Sequence, residues 1–249
     1  MNKIEPIISV RGLEARYADR VILKDIDVDI WPGEVTVILG GSGCGKTTLL
    51  KNILRLQEPY RGSVKFWGQE VLQMDEPSFN QVLRQVGMLF QNGALLNSIS
   101  VLDNVAIPLE QHTKLSRRVI ERIIRVKLRL VGLSHAIHML PSELSGGMKK
   151  RAGLARAMVM DPRVLFCDEP SAGLDPLTSA ALDDLILDLK QQLNMSIVMV
   201  THELASIHRV ADRVIFLEAG AMLFHGTLTE AKQAGIPAIE RFFEAGRFE

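Results

Sequence analysis

The sequence lacks an excess of charge of either sign. Its 249 residues hold 29 lysines and arginines against 29 aspartates and glutamates, for a formal net charge of zero. A protein that works along nucleic-acid backbone carries a clear basic excess, so neutrality sets that class aside. Long apolar runs are also missing. The longest, such as Val164-Leu165-Phe166-Cys167 and Ile197-Val198-Met199-Val200, have the length of strands. A helix needs roughly 20 apolar residues to cross a bilayer. The opening Met1-Asn2-Lys3-Ile4-Glu5-Pro6 holds no signal-peptide apolar region. The chain is therefore expected to be soluble and to stay where it is made, with any membrane role borrowed from a partner. Cysteine is scarce. Cys44 and Cys167 are far apart and in no metal-spaced pattern, so they read as reduced core thiols and not as a disulfide. No internal repeat, low-complexity stretch or linker-like segment stands out.

What is present is the composition of a folded globule, 47% hydrophobic and 23% charged, with enough chain for a large core. Ile26-Asp27-Val28-Asp29-Ile30 alternates apolar and acidic, the period of a strand with one wet face. With Ile7–Val10 and Val64–Trp67 it suggests a small, mostly antiparallel β layer near the N-terminus. Val35–Leu39, Val86–Phe90, Val164–Cys167 and Ile197–Val200 are nearly all apolar, as strands buried on both faces of a parallel, helix-flanked sheet would be. From about Val101 to Met160 the pattern turns helical, with Val119, Ile123, Ile124, Val126 and Leu130 recurring at three to four residues. A hairpin is expected over Val214–Leu217, Glu218-Ala219-Gly220 and Met222–Phe224, then an amphipathic helical tail from Pro237.

Each of the four buried runs ends in a polar or glycine-rich segment, and open α/β sheets bind ligands beyond the carboxyl ends of their strands. After Val35–Leu39 comes Gly40-Gly41-Ser42-Gly43-Cys44-Gly45-Lys46-Thr47, with Thr48 next, which fits the phosphate-binding loop G-x-x-x-x-G-K-[ST]. Glycines let backbone N–H groups converge on phosphate oxygens, and the following helix adds its positive end. Lys46 is expected to reach the β- and γ-phosphates, and the Thr47 hydroxyl to ligate Mg²⁺. Gln91 follows the second run. Asp168-Glu169 follows the third, the pattern in which the first acid holds Mg²⁺ and the second orients the attacking water. His202 follows the fourth, within reach of the γ-phosphate by a hydrogen bond.

These elements define a nucleoside triphosphatase, and Leu144-Ser145-Gly146-Gly147-Met148 narrows it. Ser145 reads as a helix N-cap, and the two glycines expose backbone N–H groups at a second positive helix end. One triphosphate does not need two such sites in one chain. A homodimer in which each phosphate loop faces the partner's Ser145-Gly146-Gly147 accounts for both.

With these motifs in hand the chain resembles the nucleotide-binding subunit of an ABC transporter over residues 7–230. The resemblance implies a P-loop NTPase of α/β class, with a RecA-like parallel sheet core, an N-terminal antiparallel β layer and an α-helical subdomain. It implies one ABC ATPase domain over 1–249, divided into 1–90 with 161–230 as core, 91–160 as the helical signature subdomain, and 231–249 as a tail. It makes Gln91 the Q-loop residue and a further Mg²⁺ ligand, His202 the switch histidine and Asp175 part of the D-loop Ser171–Asp175. Tyr17 falls where the family commonly places an aromatic that stacks on adenine, with a packing role as the alternative. Met148 stands where most members have glutamine.

Phe90–Leu96, Asp103–Leu109, Lys127-Leu128, Val131-Gly132-Leu133 and Pro141–Arg151 resemble the Mla-type ATPases, which drive transport of phospholipid or related hydrophobic solutes. That implies permease subunits in the inner membrane, an MCE-domain protein, a small regulatory subunit, and attachment at the cytoplasmic face. Asn92 differs from the serine expected in the nearest of them. Amino-acid importers of the methionine type share the Asn104-Val105-Ala106-x-Pro108-Leu109 run and remain the alternative. A chromosome or DNA-repair ATPase would carry long coiled-coil insertions, a translation-associated ABC protein usually two such domains, and a non-catalytic subunit would lack part of Lys46, Asp168, Glu169 and His202.

The neutral total conceals unequal regions. Arg117, Arg118, Arg122, Arg125, Lys127 and Arg129 crowd Ser116–Leu130, where Glu121 is the acid, either as a solvated face or as a contact for anionic lipid or an acidic partner. Phe242, Phe243 and Phe248 are core contacts or a docking patch.

Overall fold

In the computed structural model, which describes residues 5–245, the chain begins with β1 (Ile8–Tyr17), β2 (Arg20–Ile30), β3 (Val35–Gly40), α1 (Lys46–Ile53), β4 (Arg61–Phe66), β5 (Gln69–Glu70), α2 (Glu76–Leu83) and β6 (Val86–Leu89). Three helices follow: α3 (Val101–His112), α4 (Arg117–Leu130) and α5 (Gly146–Ala157). Then come β7 (Val164–Asp168), α6 (Pro176–Leu193), β8 (Ser196–Val200), α7 (Leu204–Val210), β9 (Arg213–Glu218), β10 (Ala221–Thr227), α8 (Leu228–Gln233) and α9 (Pro237–Ala245). The chain forms two compact units. One holds the described residues up to Asn80 and those from Val198 onward, the other Gln81–Ile197. Met1–Ile4 and Phe248 lie outside the described residues. Among the described residues no helix is long and apolar enough to cross a membrane.

In the first unit, β1 pairs antiparallel with β2 and with β4, and β4 with β5. The alternation read at Ile26–Ile30 is real: Ile26, Val28 and Ile30 are buried while Asp27 is exposed. Asp29 accepts from Ser9 Oγ at 2.8 Å and, through both carboxylate oxygens, from Arg11 Nη2 at 2.7 and 2.8 Å. β3 is buried along its whole length and lies parallel to β9, on which β10 folds back antiparallel. The β9–β10 turn places Ala219 (φ 48°) and Gly220 (φ 81°) in the left-handed region, the geometry whose twist matches a hairpin. α9 is helical as expected. Its Phe242 meets Phe216 of β9 edge-on at 5.5 Å, and Phe243 stacks on His208 at 5.6 Å, so both are contacts within the chain.

In the second unit, β6 runs parallel to β7 in a register from Val86↔Val164 to Leu89↔Cys167. β7 is buried up to Cys167. β6 departs from the all-buried reading of Val86–Phe90. Val86 and Met88 are half-buried, Gly87 and Leu89 are buried, and Phe90 lies exposed beyond the strand. Gly87 is where backbone meets backbone, since a Cβ there would sit 2.5 Å from the Ala157 carbonyl of α5.

α4 buries only part of the row its spacing suggested. Ile120, Ile124, Lys127 and Leu128 are buried, whereas Val119 and Val126 are 39% and 50% exposed. Two apolar rows share this helix, and periodicity alone cannot choose between them. The basic cluster is also thinner than its composition. Arg117 binds Asp103, Glu110 and Glu121, and buried Lys127 pairs with Asp161. Arg118, Arg122, Arg125 and Arg129 are the exposed remainder.

Candidate active site

The phosphate loop is assembled within the first unit. Gly40 (φ 139°) tolerates no side chain, because a Cβ would lie 2.1 Å from the Leu217 carbonyl, and at Gly45 (φ 105°) it would meet Leu23 at 2.5 Å. Gly41 and Gly43 have nothing within 4 Å of that position and form the open rim, with Ser42 exposed beside them. Two glycines thus let the loop pack, and two leave room for a ligand's oxygens. The Cys44 side chain is buried. Lys46 Nζ donates to the Gly40 and Gly41 carbonyls at 2.8 and 2.9 Å, which holds the ammonium over the loop. Thr47 is exposed and Thr48 half-buried in the first turn of α1. That turn contains no acidic residue, so its positive end is left for an external anion. An open cavity of about 420 Å³ borders Gly41–Cys44 and is lined on its other side by β9 and α9. Lys46, Thr47 and Tyr17 do not line it, so it flanks the loop rather than holding the phosphate chemistry.

Tyr17 is 75% exposed. The stretch of β1 before it is pinned. Glu14 is buried between Arg16 at 2.6 Å and Arg61 at 2.8 Å. The Arg16 hydrogen bond, then that of Arg61, holds its carboxyl below the usual range. Arg16 in turn lies 3.6 Å over the Tyr60 ring. His202 is exposed at the start of the β8–α7 connection, where the Thr201 hydroxyl accepts from the Glu203 N–H at 3.1 Å.

The second unit carries the remaining candidates. Gln91 is exposed just past β6, and Asp168 ends β7 half-buried. Glu169 follows with φ 47°, a conformation that costs a non-glycine residue and clusters at functional sites. Cys167, directly before them, is fully buried, and desolvation pushes its thiol up to about 12, consistent with an unreactive core residue. Ser145 is the N-cap of α5 and accepts from the Met148 N–H at 3.3 Å. The half-buried Met148 thus lends its backbone to the cap. Gly146 is exposed, and a Cβ at Gly147 would come within 2.7 Å of Thr178. The α5 first turn also lacks acids. Asp175 is occupied inside the chain as the N-cap of α6. It accepts from the Leu177 and Thr178 N–H groups and from the Thr178 hydroxyl at 2.5 Å. The Thr178 hydroxyl leads in holding its carboxyl below the usual range.

Sequence reasoning missed what α5 does beyond its first turn. Buried Lys150 donates to the Gln91 carbonyl and, at 3.2 Å, to the Glu169 carbonyl. Gly153 allows the Gly93 backbone to approach. Arg156 donates to the carbonyls of Gly93 at 2.8 Å and Ala94 at 2.7 Å. The i, i+3, i+6 spacing of Lys150, Gly153 and Arg156 was the signal available, since it puts all three on one face of a helix.

Among the described residues no group of three or more His, Cys, Asp or Glu side chains is placed to hold a metal. A Mg²⁺ that travels with a triphosphate needs few protein ligands and keeps its waters and phosphate oxygens. Each taken by itself, the exposed Thr47 hydroxyl at a helix start and the Asp168 carboxylate at a strand end are oxygen donors of the kind such an ion takes.

The profile described as "ABC transporter" matches residues 23–172. The "Probable ribonucleotide transport ATP-binding protein mkl" of Mycobacterium leprae is 38% identical over 240 residues, covering 96% of this chain and 69% of that one. The "Intermembrane phospholipid transport system ATP-binding protein MlaF" of Haemophilus influenzae is 38% identical over 228 residues, covering 92% and 86%. The "Methionine import ATP-binding protein MetN" of Cupriavidus metallidurans is 39% identical over 228 residues, covering 90% and 66%. Among solved structures, cbiO1 from Clostridium perfringens, part of the ABC transporter complex cbiONQ, matches with a TM-score of 0.84 and 28% identity, covering 96% of this chain and 99% of its own. The chain belongs to the ABC transporter family. It is an ATP-binding, ATP-hydrolysing subunit with the α/β fold of that family's ATPases.

Proposed function

We propose that this ATPase powers an inner-membrane transporter of phospholipid or another hydrophobic solute by ATP-driven closure of a homodimer. The observation that carries the cargo is the 38% identity to a phospholipid transport ATPase across 86% of that protein's length. The P-loop Gly40–Thr48 with Lys46 holds the β- and γ-phosphates, and Tyr17, exposed as stacking requires, carries the adenine. Thr47, Asp168 and Gln91 would hold Mg²⁺, which would supply charge neutralisation at the phosphates. Glu169 orients the attacking water, and Gln91 and His202 sense the γ-phosphate. ATP drives closure only by binding the closed state better than the open one. A γ-phosphate shared between Lys46 of one copy and Ser145-Gly146-Gly147 of the other supplies that difference. Asp175, the N-cap of α6, acts at the end of the D-loop Ser171–Asp175. The subdomain division at 91–160 and the tail at 231–249 belong to the same reading.

The permease meets the chain around Gln91–Leu96, which places the ATPase on the cytoplasmic face of the membrane. An MCE-domain protein and a small regulatory subunit complete the assembly, and nucleic acid has no part in it. A second reading, an amino-acid importer, is favoured by the identity to a methionine import ATPase and by the shared Asn104–Leu109 run.

Glu169→Gln tests the mechanism. It is expected to keep ATP binding, to lose nearly all turnover, and to accumulate an ATP-bound dimer on size exclusion. Turnover near wild type removes Glu169 from its role. The cargo is tested on the complex with its permease: phospholipid should stimulate its ATPase, and stimulation by methionine instead transfers it to the second reading.

A further inference from the structure

Lys127 and Lys150 are buried lysines, and the reaction described above uses neither. Lys127 is a structural ion pair with Asp161. Lys150, one turn into α5, donates to two main-chain carbonyls, those of Gln91 and Glu169. Those carbonyls leave the same ends of two neighbouring parallel strands, where Leu89 is in register with Cys167. One ammonium therefore joins the Q-loop to the segment carrying the proposed catalytic glutamate.

The Glu169 end of this link is the more telling. At φ 47° its backbone is in a conformation that persists only where the surroundings hold it. Its carbonyl accepts from the Ala172 N–H at 3.2 Å as well as from Lys150. The orientation of that peptide sets where the Glu169 side chain leaves the backbone. At the other end, α5 grips the Q-loop at Gly93 and Ala94 through Arg156, and Gly153 permits the close approach. The helix capped by Ser145 thus holds the Q-loop main chain along one of its faces.

We propose that Lys150 is a positioning residue for hydrolysis, tying the Glu169 peptide to Gln91 so that the glutamate is aimed at water only while the Q-loop is in place. This rests on the reading of Glu169 as the residue that orients the water. A permease that shifts the Q-loop would, through Lys150, turn hydrolysis on or off without touching bound nucleotide.

The test compares ATP turnover and ATP affinity of the full chain with those of Lys150→Met, Lys150→Gln and Lys150→Arg, with Glu169→Gln alongside. Misplacing a reacting group by about 1 Å costs about a hundredfold in rate. Lys150→Met should therefore lower kcat by about ten- to a hundredfold, leaving KM and the affinity for a fluorescent ATP analogue within about twofold. Lys150→Arg, whose guanidinium still donates to both carbonyls, should recover most of the rate. The proposal is overturned if Lys150→Met turns over within threefold of wild type, if ATP affinity falls in step with kcat, or if arginine does no better than methionine. Should Lys150→Met not fold, Lys150→Gln is read in its place. If neither folds, the residue is structural and the positioning role is rejected. Turnover retained by Glu169→Gln marks failure of the underlying reading instead.

Discussion

Gly153→Ala sets two opposed effects against each other at the centre of the site. In a helix interior, alanine is favoured over glycine by about 1 kcal/mol. On α5, however, the added Cβ would lie 3.0 Å from Gly93 Cα, 3.1 Å from the Gly93 carbonyl oxygen and 3.1 Å from Leu89 Cδ1. Two of these neighbours are main chain, and Leu89 is fully buried, so neither side yields without moving the Q-loop. Overpacking of this kind costs about 1–3 kcal/mol. The clash exceeds the propensity gain by about 1 kcal/mol at the centre of these ranges, which for a chain of this size lowers Tm by about 2–4 °C. Thermal melts followed by far-ultraviolet circular dichroism give the comparison. Gly146→Ala on the same helix is the control, because its Cβ meets Leu174 at an ordinary 3.5 Å and should change Tm little. A Gly153→Ala protein that melts above wild type would mean that propensity wins and that the Q-loop does not rest on α5.

Two further outcomes are expected. Asp161→Ala strips the partner from Lys127, whose side chain is 6% exposed against 71% for Asp161, and should cost about 1–3 kcal/mol. Lys127→Met removes the charge with the stem's packing kept and should fall within about 1 kcal/mol of wild type, so a chemical-denaturation series in which the lysine variant is the weaker one contradicts this account. The Asp103 carboxyl is held below its ordinary value of 3.8 by the Ser100 hydroxyl and by Arg117. A depressed carboxyl contributes stability above its ordinary value and loses it as pH falls through the depressed one. The Tm gap between wild type and Arg117→Gln should therefore be open at pH 6 and close below about pH 4, and a gap that widened on acidification would reverse the sign.

Much of the fold was legible because it rests on local rules. The alternation at Ile26–Ile30, the apolar runs at Val35–Leu39 and Val164–Cys167, the hairpin turn at Ala219-Gly220 and the cap at Ser145 each answer to a few consecutive residues. The phosphate loop was legible for the same reason, since its contacts run between Gly40 and Lys46. The face of α4 was not. The row Val119, Ile123, Ile124, Val126 and Leu130 shares only Ile124 with the buried Ile120, Ile124 and Leu128, and which side chains turn inward depends on where α3 and α5 lie, which is not a local property.

The least legible part of the site is also the part that joins its pieces. Lys150 is 59 residues from Gln91 and 19 from Glu169. In the sequence it is one base in the run Lys149-Lys150-Arg151, which composition assigns to solvent. What draws it inside is the exposed main chain at the ends of β6 and β7, where carbonyls leave the strand ladder and need donors. A lysine on the facing helix satisfies two of them at once, at the expense of burying its charge. A neutral side chain of similar length could fill the space, but it would not bind both carbonyls as strongly, because hydrogen bonds from an ionised donor are about twice as strong as neutral ones. Where strain, a buried charge and a close glycine contact converge on one helix face, the requirement being met is placement of the loops and not helix stability, for which glycine at position 153 is a poor choice.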